Sequence, residues 1–177
     1  NRRTAGGPVD HDLPMIFVCD EDNQVIAVSA TYACHCVTLS HNLVGGDWAG
    51  YAAEFLEREF PGCVGLISIG CGADQNPDSG VTGDKVAAAQ QQGADLAGAV
   101  KLVFPQAATV QSSALFPRQS LVELKLAPPR TRAEWLDRVS QGGAIGFHAQ
   151  TQLDRIEGGQ SLPEKISYPV TTWKLGD

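Results

Sequence analysis

No apolar run in this sequence approaches the roughly 18 residues that a membrane-spanning helix needs, so no transmembrane segment is expected. Basic charge is in deficit: 13 Lys and Arg stand against 20 Asp and Glu, a formal net charge of −7. That balance argues against phosphate backbones or anionic membrane surfaces as main partners, and so against nucleic acid. Cysteine is sparse. Five in 177 residues do not make a disulfide scaffold, and the odd count leaves at least one thiol free. Buried free thiols are the expectation for Cys19, Cys34, Cys36, Cys63 and Cys71. The common metal and phosphate spacings are missing as well: there is no C-x-x-C, no H-E-x-x-H and no G-x-x-x-x-G-K-S/T. No signal-peptide pattern and no initiator Met are seen, and a chain opening Asn1-Arg2-Arg3-Thr4 reads as mature, processed or cut from something longer.

What is present is turn chemistry, with 19 Gly and 10 Pro, and an alternation of strand-like and helix-like segments. The length suits one domain with a substantial core. A short apolar strand is expected at 15–19, a turn at Asp20-Glu21-Asp22-Asn23, and a returning strand at 24–33. The run 32–51, YACHCVTLSHNLVGGDWAGY, then leads through Gly45-Gly46 into a helix over 48–60, with Asp47 as its N-cap. Trp48, Tyr51, Ala52, Phe55 and Leu56 mark one core-facing stripe, and Pro61-Gly62 stops the helix. A buried strand at 63–69 completes a strand–helix–strand unit. It opens into a turn-rich loop, 70–84, and a second helix over 85–103 capped by Asp84. Gly93 and Gly98 on that helix are read as allowing close helix–sheet packing.

Farther along, strands are expected at 107–116 and 120–126, either side of Pro117-Arg118. The alternation of Leu121, Glu123 and Lys125 with Val122, Leu124 and Leu126 gives that sheet one wet face. Thr131 and Glu134 form a capping box for a short helix through Val139, and another helix runs over 147–157 and ends at Gly158. Residues 161–177 are extended and read as the first strand of a hairpin that lacks its partner. The fold class is therefore α/β: a mixed sheet of about five to six strands flanked by helices, in a single domain.

Chemistry gathers where the second strand ends. His35 could ligate zinc there, with His41 and a loop carboxylate nearby. The plain alternative is a satisfied structural histidine. Cys34 and Cys36 face away from it, so C-H-C is not a ligand trio on a strand. Asp47 reads as a helix cap, with a second-shell hydrogen bond to a metal-bound histidine as an added role. The loop 70–84 lies where substrate loops collect in parallel-sheet folds. Its three aspartates argue against phosphate, and Cys71 could act as a nucleophile paired with His35.

These pieces together resemble the N-terminal, catalytic domain of the neutral/alkaline (non-lysosomal) ceramidases, as an internal fragment of a divergent bacterial-type member. That family shows Asn-Arg near a loop start, V-D-x-x-L, then F-A-V-H-x-T-S, G-D-N-K-G-Y-A opening a helix, and a G-D-V-S-P-N loop. This chain has Asn1-Arg2, Val9-Asp10 with Leu13, and Tyr32-Ala33-Cys34-His35-Cys36-Val37-Thr38. It continues with Gly46-Asp47-Trp48-Ala49-Gly50-Tyr51-Ala52 and the loop Gly70-Cys71-Gly72-Ala73-Asp74-Gln75-Asn76-Pro77. The likeness covers roughly the first hundred residues, with G-D-x-x-G-Y-A its most specific block.

The resemblance implies a zinc-dependent amidohydrolase of sphingolipid metabolism that cleaves an N-acyl amide, ceramide or a related small-molecule or lipid amide, with a metal-activated water. His35 would be a metal ligand and Arg2 a catalytic residue holding the substrate or the developing oxyanion. Asp47 would support the site, and Gly72, Ala73 and Asp74 would form the substrate loop. The family's loop serine has no counterpart, because Ala73 stands there. The remaining zinc ligands are expected outside this chain, which would make it part of a larger catalytic domain, inactive on its own. The resemblance also implies a secreted or periplasmic protein, while free cysteines argue mildly against an oxidising compartment. Two further readings stand beside the hydrolase: a non-catalytic binding or scaffold relative that kept the fold, and a Cys71–His35 thiol hydrolase.

Overall fold

The computed structural model describes residues 7–107 and 114–176 and falls into two compact units, Asn1–Ala108 and Thr109–Asp177. The first unit is a βαβ arrangement with a leading hairpin. Strand β1 (Met15–Cys19) pairs antiparallel with β2 (Val25–Tyr32), and β2 pairs parallel with β3 (Val64–Ile69). The sheet order is β1-β2-β3. The turn between β1 and β2 is held by Asp20, whose Oδ1 accepts from the Asp22 and Gln24 N–H groups at 3.0 and 2.8 Å. Such an Asx-type turn is what the acidic Asp20–Asn23 run supplies.

Helix α1 (Asp47–Glu59) crosses from β2 to β3. It buries Trp48, Ala52 and Leu56 against Val28 and Ala30 of β2, with Leu96, Ala97 and Val100 of helix α2 (Val86–Val103) closing the same core. The i, i+4, i+8 spacing of the α1 residues gives the helix one apolar stripe, and that stripe is the face that packs. Gly93 of α2 touches α1 rather than the sheet: a Cβ there would stand 2.7 Å from the Ala52 N and 2.7 Å from the Tyr51 Cβ. Gly98 has open space around it. The glycine expectation was therefore right about close approach at one position and wrong about the partner.

Only one face of this sheet is covered. Ile16, Val18, Val64 and Leu66 stay about half exposed on the other, so β3 is not the fully buried strand its apolar sequence suggested.

In the second unit, β4 (Leu115–Lys125) pairs antiparallel with β5 (Lys165–Leu175) along eleven residue pairs, from Leu115↔Leu175 to Lys125↔Lys165. This corrects two expectations. The closing segment has its partner, and β4 runs straight through Pro117 instead of breaking there; part of the expected 107–116 strand lies outside the described residues. In a two-stranded ribbon both strands are edges, where proline can point its missing donor outward. That accounts for Pro117 and, opposite Leu121, for Pro169. All residues of both strands are exposed, so the ribbon has no dry face.

Between the strands lie α3 (Arg132–Ser140) and α4 (Gly143–Glu157), packed around Trp135, Ala149 and Leu153. The Thr131–Glu134 capping box is fully formed. Helix α4 starts four positions before the expected 147, at Gly143, and its C-cap is Gly158 as expected. The protein is thus α/β with five described strands, arranged as sheets of three and two.

Candidate functional site

The parallel pair β2 and β3 ends at Tyr32 and Ile69, and the two segments that leave these ends, 33–46 and 70–85, lie against each other. Loops at the carboxyl ends of parallel strands, at the point where the chain turns from sheet into helix, are the usual location of ligand sites in such folds. Tyr32 receives Gly70 and Cys34 N–H bonds at 3.0 Å each on its carbonyl. The loops stay in register beyond that point: the His35 N–H donates to the Gln75 carbonyl at 2.9 Å, Ser40 N–H to Gly83 at 2.8 Å and Thr82 N–H to Thr38 at 2.8 Å. Gln75 also accepts the Asp10 N–H on its side chain at 3.0 Å, which fixes the N-terminal segment to the same place. Thr38, fully buried, donates to Gln92 of α2 at 2.6 Å, and Gln92 in turn donates to Ser79 at 2.9 Å.

His35 sits in the middle of this lacing, half-buried, just past the end of β2. Its Nε2 lies 3.0 Å from the Ala73 carbonyl oxygen. A carbonyl can only accept, so Nε2 carries the proton in this contact and Nδ1 holds the free lone pair. This is the arrangement in which a ligating histidine is oriented by a backbone carbonyl while its other nitrogen is left for a metal. A second bond fixes the backbone beneath it: the Trp48 indole donates to the His35 carbonyl at 2.9 Å. Trp48 was legible in the sequence as a core residue, and it is one, at 3% exposed; its polar handle on His35 was not.

Asp47 is placed differently from a helix cap. The N-cap of α1 is Gly46, with no side-chain cap, and Asp47 is the first helical residue. Its φ of +53° is in the left-handed region, which costs a non-glycine residue strain and is best tolerated by Asp and Asn. The buried carboxylate accepts the Leu39 N–H at 2.8 Å and the Trp48 N–H at 2.7 Å. It therefore joins the loop after His35 to the helix that carries Trp48.

Ala73 reaches His35 through its main chain, while Asp74 and Cys71 are exposed. Gly72 is buried under the facing loop: a Cβ there would come within 2.5 Å of the Cys34 N and 2.8 Å of the Ala33 C. Arg2 lies outside the described residues. Among the described residues no hydrogen bond joins Cys71 to His35.

All five cysteines are free thiols, but only Cys34 and Cys63 are buried. Burial, then the neighbouring Cys36 and Asp47, push the Cys34 thiol up to about 11. Burial also raises Cys36, against a hydrogen bond from the Ala49 backbone that lowers it. Neither is a poised nucleophile. Among the described residues no group of three His, Cys, Asp or Glu side chains could hold a metal ion. The described residues around His35 therefore do not form a metal centre by themselves. His41, the second candidate, has its Nδ1 shut from solvent without a hydrogen-bond partner among the described residues.

No protein-family model matches the chain, and no curated protein does. Among solved structures it is similar to the neutral ceramidase from Pseudomonas aeruginosa, with a TM-score of 0.65 at 14% sequence identity. The similarity covers 95% of this chain and 33% of that one. The chain therefore spans about a third of the length of that neighbour. At this identity the likeness is one of fold, and it extends over both units.

Proposed function

We propose that this chain is part of a larger catalytic domain of the neutral-ceramidase type, a zinc-dependent amidohydrolase acting on an N-acyl amide such as ceramide or a related lipid. The observation that carries the reading is the fixed orientation of His35, with Nε2 bound to the Ala73 carbonyl and Nδ1 left free. Fold likeness to a neutral ceramidase over nearly the whole chain supports it, as do the open apolar faces of both sheets, which suit a domain with more layers.

In this reading His35 would hold zinc through its free Nδ1, with the other ligands supplied from outside this chain. The chemistry supplied by zinc held there would be a bound water of lowered pKa and a polarised amide carbonyl. The chain's own residues do the positioning. The Ala73 carbonyl sets the tautomer and ring plane of His35, and the Trp48 indole holds the His35 main chain. Asp47 keeps both connected to the helix. Gly72, Ala73 and Asp74 form the wall along which substrate lies, and Arg2 holds the amide oxygen as charge develops on it.

One observation favours a second reading, a binding or scaffold relative without turnover. Ala73 offers no hydroxyl where the ceramidase pattern has serine. Turnover of a fluorogenic N-acyl sphingosine by the complete polypeptide separates the two. The hydrolase reading expects turnover abolished by chelator and by His35→Ala. Saturable binding of that amide with no turnover in the presence of zinc would establish the second reading instead.

A further inference from the structure

The second unit holds a groove of about 700 Å³ that the site around His35 does not use. It lies between the first turn of α3, one side of α4 and the segments 126–130 and 162–163. Its volume is in the range of small-molecule pockets. Its floor is organised by a buried polar side chain. Gln152, 9% exposed, accepts from the Arg155 guanidinium at 3.4 Å on Oε1, and its Nε2 lies 3.3 Å from the His148 Nε2. An amide nitrogen can only donate, so that contact makes the His148 Nε2 the acceptor and puts the imidazole proton on Nδ1. The Trp135 ring packs edge-on to His148 at 5.6 Å, and the Arg130 guanidinium stands 6.0 Å from the same Trp135 ring.

The hydrogen-bonding balance of this lining is one-sided. Arg130 and Arg155 form no ion pair among the described residues. With the Nδ1–H of His148 they leave a surplus of donors. The acidic group present, Glu134, is engaged through Oε2, which accepts from the Thr131 N–H at 2.7 Å and the Thr131 hydroxyl at 2.8 Å; the Arg130 charge also acts on this carboxyl, so Arg155 and His148 carry most of the donor surplus. The rest of the wall is apolar, with Leu126, Pro128, Pro129 and Leu162. Two arginines beside an apolar wall and an aromatic ring match an oxyanion carried on a hydrocarbon body.

We infer that this groove binds an amphiphilic carboxylate, its head at Arg130 and Arg155 and its chain along Leu126, Pro129 and Leu162. The site is independent of the amide-hydrolysis reading, because none of its residues takes part in the loops around His35.

Isothermal titration of the complete polypeptide with octanoate tests it, with octan-1-ol and inorganic phosphate as probes of each half of the ligand alone. The expected result is saturable octanoate binding at one site, weakened about tenfold or more in the Arg130→Gln/Arg155→Gln double variant, as loss of charge-assisted bonds requires. Octanol and phosphate should each bind far more weakly than octanoate. Circular dichroism melting of the variant checks that it remains folded, and Trp135→Phe, which keeps a ring in the wall, should retain most of the binding. Absence of saturable octanoate binding by the folded polypeptide would overturn the inference. So would equal binding of octanol or phosphate, or octanoate binding unchanged in the double variant.

Discussion

Gly72 and His35 are the two positions at which a single atom decides the geometry of the first unit's loops. A Cβ on Gly72 would meet main-chain atoms of Ala33 and Cys34, which have no freedom to step aside. Gly72→Ala should therefore cost about 1–3 kcal/mol in urea unfolding, the usual toll of overpacking, and should displace the Ala73 carbonyl from His35. A ¹⁵N spectrum of the His35 ring reports that displacement as loss of the fixed Nε2–H tautomer. The thiols give a second residue-scale test. Cys71 is exposed, whereas burial raises Cys34, Cys36 and Cys63. At neutral pH Cys71 should react first with an alkylating reagent, and Cys71→Ser should remove that first phase. Amide turnover that survives this alkylation would exclude the thiol-hydrolase reading; turnover lost with it would revive that reading. At this scale the sequence showed which residue types gather near the strand ends, because His35, Asp47 and Gly72 lie close together or in a recognisable loop. It did not show Gln75, which fixes His35 and Asp10 from another loop, since no local pattern encodes a long-range hydrogen bond.

Helix α2 carries two glycines with opposite expected behaviour. Gly93→Ala drives a methyl into the α1 backbone and should destabilise by about 1–3 kcal/mol. Gly98→Ala meets nothing and should stabilise by about 0.5–1 kcal/mol through helix propensity. Thermal melts of the two variants, moving in opposite directions, check the packing of α1 on α2. At α3 the capping box makes a pH-dependent prediction. Two Thr131 hydrogen bonds hold the Glu134 carboxyl below its ordinary range. Its contribution is thus present above the ordinary carboxylate pKa and is lost as pH falls through the lowered one. Thr131→Ala should cost about 1 kcal/mol at neutral pH, and the gap between its melting temperature and that of the parent should narrow in acid without closing, because the Thr131 hydroxyl oxygen still accepts the Glu134 N–H in the parent. This box was fully readable because four consecutive residues encode it. The β4–β5 pairing was not, because its strands are separated by both helices, and Pro117 mimics a break when the edge status of a strand is unknown.

Taken whole, the described chain has two sheets, each with apolar residues facing water. Ile16, Val18, Val64 and Leu66 are exposed on the first, and Leu121, Val122, Tyr168 and Trp173 on the second. A two-stranded ribbon without a covered face is marginal on its own. Under the proposed function these faces are covered in a larger domain, which is also where the remaining ligands beside His35 would come from. The class and the strand–helix–strand core were legible from apolar periodicity; the split into two sheets was not, since periodicity says nothing about which strands meet. The most direct test of the account is the zinc content of the complete polypeptide, measured by elemental analysis beside its His35→Ala variant. About one zinc per chain, lost in the variant while the fold is retained, is the result expected for a four-ligand site that includes His35. No zinc in the parent, or the same zinc content in both, would contradict it.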